Sequence, residues 1–371
     1  VYCLELAGED DAFAAREAES AAIGLEFVAP GLAVAGSVDH ARVRTLAYTH
    51  AADRLVARTD ASIESAELAL DAANLDVEGT VAVRARDVRG LTGVSTGEAE
   101  RTLGGVLVDR GYEVDLDDPD NELRVLFSAG DVGPETGVGA GGGDPVVHGA
   151  EGVCVLAWLE TESVRGYGAR EPGKRPFFQP GSMAPHDARA ISNIAGAGPG
   201  RTILDPMCGT GGVLIEAGLV GSRVIGNDAQ WKMVRGATEN LDYYLGGDGT
   251  PEGAFGEADR PDDWPPACPA FHVVRGDATN LALRDDSVNG VVFDAPYGRQ
   301  TVSASHEISD LVTGALSDAY RVSDANATCV LMSDRSWRDA AVSVGWRVTD
   351  IFERRVHRSL TRYVHVLEKS P

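Results

Sequence analysis

Residues 202–212 read Thr202-Ile203-Leu204-Asp205-Pro206-Met207-Cys208-Gly209-Thr210-Gly211-Gly212. A short apolar run ends in an acid, a turn rich in Gly follows, and 213–220 has helical character, so the stretch is a strand–turn–helix unit. Glycines at such a turn let the main chain approach a ligand closely. The spacing is not G-x-G-x-x-G, and no Lys follows as in a phosphate-binding loop. Dinucleotide and triphosphate sites are therefore weaker readings than a site of another kind. A tight turn without any ligand is the plain alternative.

The alternation continues downstream. Strands are expected at Thr202–Asp205, Arg223–Asn227, Phe271–Arg275, Gly290–Asp294, Thr328–Met332, Trp346–Phe352 and Tyr363–Leu367. Helices are expected at 213–220, 229–245, a shorter stretch after 277, 307–322 and 335–343. Apolar strands alternating with helices predict a doubly wound sheet with ligands at the strands' carboxyl ends. The short connection between the last two strands makes them antiparallel.

Acids stand at the ends of successive strands. Asp228 ends the second, where a carboxylate can accept hydrogen bonds from ribose hydroxyls, and Asp277 follows the third in Gly276-Asp277-Ala278. Each alone reads as an ordinary loop carboxylate among 57 acids, but three in register are hard to place by chance. The fourth strand ends in Asp294-Ala295-Pro296-Tyr297-Gly298. An exocyclic amine on a base is a poor nucleophile because its lone pair is delocalised into the ring. A carboxylate and a main-chain carbonyl can accept its two N–H bonds and redirect that lone pair, while an aromatic side chain stacks on the base.

The 205–212 turn resembles motif I of RNA and DNA amino-group methyltransferases, which holds S-adenosyl-L-methionine. Asp294–Tyr297 resembles their (Asp/Asn/Ser)-Pro-Pro-(Tyr/Phe) motif, with Ala295 in place of the first Pro. The group contributed at that position is main-chain, so the acceptor survives on a less rigid loop. Six alternating units closed by a hairpin resemble the seven-stranded class I (Rossmann-like) methyltransferase sheet. The resemblance implies a cofactor site of Asp205, Pro206, Cys208, Gly209, Thr210, Gly211, Asp228, Asp277 and Ala278, with Asp277 receiving the adenine amino group. It also places Phe178, in Arg175-Pro176-Phe177-Phe178-Gln179-Pro180-Gly181-Ser182, over the cofactor, although interdomain core is the plainer reading of Phe177 and Phe178 by themselves. Asp294, Ala295, Pro296 and Tyr297 become the catalytic group.

The N-terminal part mixes short elements: strands at Val1–Leu6, Leu32–Gly36, Thr80–Arg86, Glu122–Phe127 and Val153–Leu159, and helices at Ala12–Gly24, from Ser37 to Thr49, at Ile63–Ala73 and at Gly97–Arg110. This is an α+β pattern. Alternation puts Arg84 and Arg86 on one strand face. With Val114–Asp120 and the strand at Leu123–Phe127, the region resembles a THUMP domain, an RNA-binding module; surface arginines on an edge strand are the alternative. The expected domains are a ferredoxin-like 1–53, THUMP 54–163, a linker 164–180 and the catalytic domain 181–371. Gly-rich 129–149 and the Gly, Pro and acid stretch 246–266 read as insertions. Glu353–Arg362 is locally basic, and Arg354, Arg355, His357, Arg358 and Arg362 read as either a solvated hairpin or an RNA phosphate clamp.

The net charge is −24, and of 33 basic residues only Lys174, Lys232 and Lys369 are lysine. This composition resembles that of halophilic archaea. In molar salt the Debye length falls to about 3 Å, so such acidity does not exclude a polyanionic partner. The five cysteines form no Cys-x-x-Cys pair, which gives a zinc site no support and fits a reducing cytoplasm. No run of eighteen apolar residues predicts a membrane span, and the acidic start is unlike a secretory signal.

Together these features resemble the archaeal THUMP-containing tRNA (guanine-N2)-methyltransferases that act on the guanosine at position 10. A related group acts on guanosine 6 with the same parts. The resemblance implies tRNA as partner and one or two methyl groups on the amine, and no obligate protein partner is evident. A DNA adenine-N6 or cytosine-N4 methyltransferase would share Asp294–Tyr297 but lack such an N-terminus. A catalytically idle RNA-binding protein would not need Asp205, Asp228, Asp277 and Asp294 together.

Overall fold

The computed structural model describes residues 1–8, 10–130, 152–246, 264, 270–296, 302–357 and 360–369, the side chains of 302–306, 355–357 and 360 excepted. Tyr297, Gly298, Arg358 and nearly all of the two expected insertions lie outside the described residues. The described residues form two compact units that meet in sequence between Ser163 and Val164.

The first unit contains β1 (Tyr2–Leu6), α1 (Asp11–Ala18), β2 (Ala22–Ile23), β3 (Glu26–Ala29), β4 (Leu32–Ala35), β5 (Ser37–Val38) and α2 (His40–Val43). It continues with β6 (Thr49–Asp60), α3 (Ile63–Ala72), β7 (Val81–Asp87), α4 (Thr96–Asp109), β8 (Asn121–Ser128) and β9 (Val153–Glu162). Its seven-stranded sheet has the order β3-β4-β1-β6-β9-β8-β7, with only β7 and β8 parallel among its pairs. The Ser62 hydroxyl accepts from Ser65 N at 3.1 Å and starts α3. In α4, Ala99, Leu103, Val106 and Leu107 form one apolar face, which packs with Leu70, Val81, Leu123 and Phe127.

Three expectations here need correction. The first helix ends at Ala18 rather than Gly24, because Ala22–Ile23 pairs with Ser37–Val38 as a ribbon. Of the helix expected from 37 to 49 only the four-residue α2 forms. The twelve-residue β6 was not foreseen: its partners β1 and β9 bury Asp53 in mid-strand, which hides the apolar pattern. The division expected between residues 53 and 54 falls inside β6, and one sheet runs through it.

The second unit contains α5 (Pro185–Ile194), β10 (Thr202–Asp205), α6 (Gly212–Leu219), β11 (Arg223–Asp228), α7 (Trp231–Leu245) and β12 (Phe271–Arg275). Then come β13 (Val288–Asp294), α8 (Val302–Val322), β14 (Ser323–Ser333), α9 (Arg338–Ser343), β15 (Trp346–His357) and β16 (Leu360–Lys369). The strand order is β12-β11-β10-β13-β14-β16-β15. β10 to β14 run parallel, and β16 lies antiparallel between β14 and β15. The order reverses at β10, whose neighbours are β11 and β13. That switch point opens a crevice at the strands' carboxyl ends. Leu204, Val291, Phe293 and Leu331 pack with Val312, Leu316 and Trp346 in the core.

The short helix expected directly after residue 277 does not form. Instead Leu281 N donates to Asp318 at 2.6 Å, while Arg321 donates to the Leu281 and Leu283 carbonyls, so α8 holds this segment as a series of turns. The expected linker is packed structure. Arg170 is fully buried and its Nε donates to Glu216 Oε1 at 2.6 Å, and the Phe177 ring lies where a Cβ on Gly236 would collide with it. Among the described residues no helix is long and apolar enough to cross a membrane.

Candidate active site

The turn between β10 and α6 is shaped by Gly209 (φ 51°) and Gly211 (φ 78°), both in the left-handed region. Cys208 N donates to Asn227 O at 2.9 Å and Gly211 N to Cys208 O at 2.7 Å. Gly211 caps α6 without any side-chain acceptor. Asp205 is almost wholly buried and accepts from Met207 N at 3.0 Å. Burial raises its carboxyl well above the ordinary range; the Met207 N–H opposes this, and Asp228 and Asp294 add to it. Its geometry is that of a residue shaping the turn.

Asp228 Oδ2 accepts from Gly209 N at 3.1 Å, and Oδ1 accepts from Gln230 N at 2.8 Å. Asp277 Oδ1 accepts from the main-chain and hydroxyl groups of Thr279. Both acids line a cavity of about 770 Å³, together with Pro206, Met207, Ala278, Asp294 and Pro296. A second cavity, of about 240 Å³, is lined by Gln179, Ser182, Asp205, Cys208, Gly209, Thr210, Asp294 and Ala295. Met207, Asp294 and Pro296 belong to both linings.

Asp294 closes β13 beside Met332 of β14, and Ala295 N donates to Met332 O at 2.8 Å, which fixes the peptide after it. Oδ2 lies 3.6 Å from Arg362 Nη2. Oδ1 is buried and has no hydrogen-bond partner among the described residues. Burial pushes the carboxyl up to about 6, the Arg362 guanidinium pulls it down and Asp334 pushes it up. The site thus offers one uncommitted acceptor, on a carboxyl pushed up to about 6 that belongs to the linings of two cavities.

A family model for the RMKL-like methyltransferase domain matches residues 172–250. The tRNA (guanine(10)-N2)-dimethyltransferase of Methanothermobacter thermautotrophicus is 31% identical over 330 residues, 88% of this chain and 84% of that protein. The enzyme of the same name from Pyrococcus abyssi is 30% identical over 296 residues, 79% and 75% of the two chains. The chain belongs to the tRNA (guanine(10)-N2)-dimethyltransferase family. Among solved structures, TrmN from Thermus thermophilus aligns over 99% of both chains at 21% identity, with a TM-score of 0.46.

Within this family member, two asparagines tie the site together and were not singled out in the sequence. Asn227 Nδ2 donates to Pro206 O at 3.0 Å and Gly276 O at 3.3 Å, joining the ends of β10, β11 and β12. Asn240 of α7 donates from Nδ2 to the carbonyls of Thr210 and Phe177, each at 2.9 Å, and its Oδ1 accepts from Phe177 N. A polar residue on the inner face of an amphipathic helix was the available signal for Asn240.

Not every expected site residue converges. Phe178 is about half exposed and lines neither cavity; residues 179–183, beginning at Gln179, do so instead. Among the arginines expected to meet RNA, Arg84 donates to Leu116 O and lies 3.9 Å from Glu122. Arg86 pairs with Glu5 at 2.7 Å, and Arg354 donates to Asp187 at 2.8 Å. Arg362 is nearly buried beside Asp294. Each therefore has an internal acid to balance. Arg358 and the side chains of Arg355 and His357 lie outside the described residues.

Proposed function

We propose that this protein methylates the N2 amine of a guanosine in tRNA, at position 10, using S-adenosyl-L-methionine and giving N2-methyl- and N2,N2-dimethylguanosine. The observation that carries the reading is Asp294, with one oxygen facing Arg362 and the other uncommitted, in the linings of two cavities.

The larger cavity falls within the usual size for cofactor sites, and its acids suit a nucleoside. Asp228 would hold ribose hydroxyls, Asp277 and Ala278 the adenine edge, and the 205–212 turn the remainder. The bound cofactor supplies an electrophilic methyl group. Asp294 Oδ1 accepts one N–H of the guanine amine, and the carbonyl of Ala295 or Pro296 accepts the other, which turns the lone pair out of the ring plane. As positive charge grows on nitrogen the carboxylate offsets it. A carboxyl titrating near 6 can also take the proton that the methylated amine sheds. A monomethylated amine keeps one N–H for Asp294, so the same contact serves a second round. The guanine must leave its stack to reach the site, at a cost of a few kcal/mol.

We read the first unit as a ferredoxin-like part and a THUMP RNA-binding part sharing one sheet, with the parallel β7–β8 pair and α4 as its support. A tRNA substrate and the four buried free cysteines among the described residues support a reducing, cytoplasmic setting, and the lysine-poor acidic composition supports a salt-rich one. The test is nucleoside mass spectrometry on a tRNA transcript treated with protein and cofactor in molar salt, with the methylated position mapped. Methylation of guanosine 6, or of DNA adenine or cytosine alone, would replace this reading.

A further inference from the structure

The sequence left Arg362 between a solvated hairpin and a tRNA phosphate clamp, and the structure places it beside an acid. β16 runs antiparallel to β14, so its first residues lie at the sheet edge that carries the carboxyl ends of the parallel strands. The register places Tyr363 opposite Ser333 and Val364 opposite Met332, while Met332 lies beside Asp294 on the other side. Arg362 is thereby delivered to Asp294 by strand pairing. Its side chain is 12% exposed, Nη1 donates to Met332 Sδ at 3.3 Å, and Nη2 lies 3.6 Å from Asp294 Oδ2.

We propose that Arg362 is a positioning residue for the reaction at Asp294, holding Oδ2 as its counter-ion so that Oδ1 stays available to the substrate amine, and that it is not a contact for tRNA phosphates. The proposal rests on the function assigned above. Its physical basis is the charge around Asp294. Asp205 of β10 shares a cavity lining with it, Asp334 just after β14 faces it while paired with Arg335 at 3.0 Å, and Arg362 faces it from β16. Burial and Asp334 both favour a protonated Asp294, and Arg362 opposes them. A protonated Asp294 would offer a donor where the amine needs an acceptor. The 3.6 Å separation is that of an ion pair without a hydrogen bond, so Arg362 biases the carboxylate without consuming its acceptor capacity.

The test compares wild-type full-length protein with R362Q and R362K. An opposite charge at this range shifts a carboxyl by about one unit or more. In R362Q the acidic limb of single-turnover methyl transfer should move up by about one pH unit, and R362K should restore most of it. The Asp294 carboxyl, followed by ¹³C NMR in protein free of cofactor and tRNA and assigned by its loss in D294N, should move by the same amount. The tRNA dissociation constant and its salt dependence should stay at wild-type values. R362M keeps the stem against Met332 and should show the same shift, which covers the case in which R362Q does not fold. An unshifted carboxyl and limb would overturn the proposal. So would weaker tRNA binding with a log–log salt slope shallower by about one, the signature of a lost phosphate contact. Wild-type protein that leaves tRNA unmethylated would overturn the proposed function instead, and the carboxyl titration would still decide the Arg362–Asp294 link.

Discussion

Gly209 N donates to Asp228 Oδ2 at 3.1 Å, so the glycine turn after β10 is tied directly to the acid that ends β11. Asp228 therefore shapes the turn and faces the larger cavity. Replacing it with Ala should remove both roles. Calorimetry should show S-adenosyl-L-methionine binding weakened at least tenfold, since each hydrogen bond to a charged acceptor contributes about 1.5–3 kcal/mol. Undiminished affinity would take Asp228 out of the site.

Asn240 links α7 to Thr210 and Phe177 through three hydrogen bonds in a buried position. Asn240→Ala should leave the two carbonyls and one N–H unpartnered. The expected loss is about 2–3 kcal/mol of stability, read by denaturant unfolding, together with weaker cofactor binding. A loss below about 0.5 kcal/mol would mean that water replaces the side chain without cost.

The second sheet was legible because its strands are apolar runs, and its motifs sit where those runs end. The first sheet was harder. β6 carries Asp53 and Arg54 in its middle, and a buried carboxylate reads in sequence as a surface residue. The same confusion hid the packing of 164–180. Arg170 and Arg175 read as linker charges, and the buried partner of Arg170, Glu216, looks like an ordinary polar position in the apolar run 213–220. The pairing of Arg362 with Asp294 was hidden for a related reason. Local charge was visible, but the acid that answers it is 68 residues away in the chain and adjacent only through strand pairing.

That packing gives a prediction about truncation. A fragment beginning at Val164 keeps Arg170 on Glu216 and Phe177 on Gly236, and should fold and bind cofactor. One beginning at Gly181 leaves Glu216 with Arg189 as its remaining close cation, at 2.7 Å. Breaking one side of a buried ion pair costs about 3–5 kcal/mol, so the shorter fragment should melt well below the longer one. Equal melting temperatures would show that 164–180 contributes little.

Asp53 supplies a pH dependence in the first unit. It is fully buried, neither carboxylate oxygen has a hydrogen bond among the described residues, and Arg124 lies 3.5 Å away. Burial pushes it up to about 7, against the pull of Arg124 and with help from Glu5. A carboxyl raised above its unfolded value stabilises the fold fully below about pH 4, and that contribution fades as pH rises through about 7. Asp53→Asn does not ionise, so its melting temperature relative to wild type should rise between pH 4 and pH 8. A constant difference across that range would mean that Asp53 titrates normally.

Asp294→Asn is the most direct test of the chemistry. The substitution keeps the shape and one carbonyl oxygen, but removes the charge that should offset the positive nitrogen as the new bond forms. An interaction that strengthens toward the transition state contributes to turnover more than to binding. Cofactor and tRNA affinities should stay within a few-fold of wild type, while methyl transfer falls by about 10²–10³, the usual effect of losing one such electrostatic partner. The Asn amide also leaves Arg362 without its carboxylate, so part of any stability loss belongs to that pair, and a melting curve separates it from the rate effect. Near-normal turnover in D294N would show that the charge is dispensable, and would move the work to the main-chain carbonyl of Ala295 or Pro296.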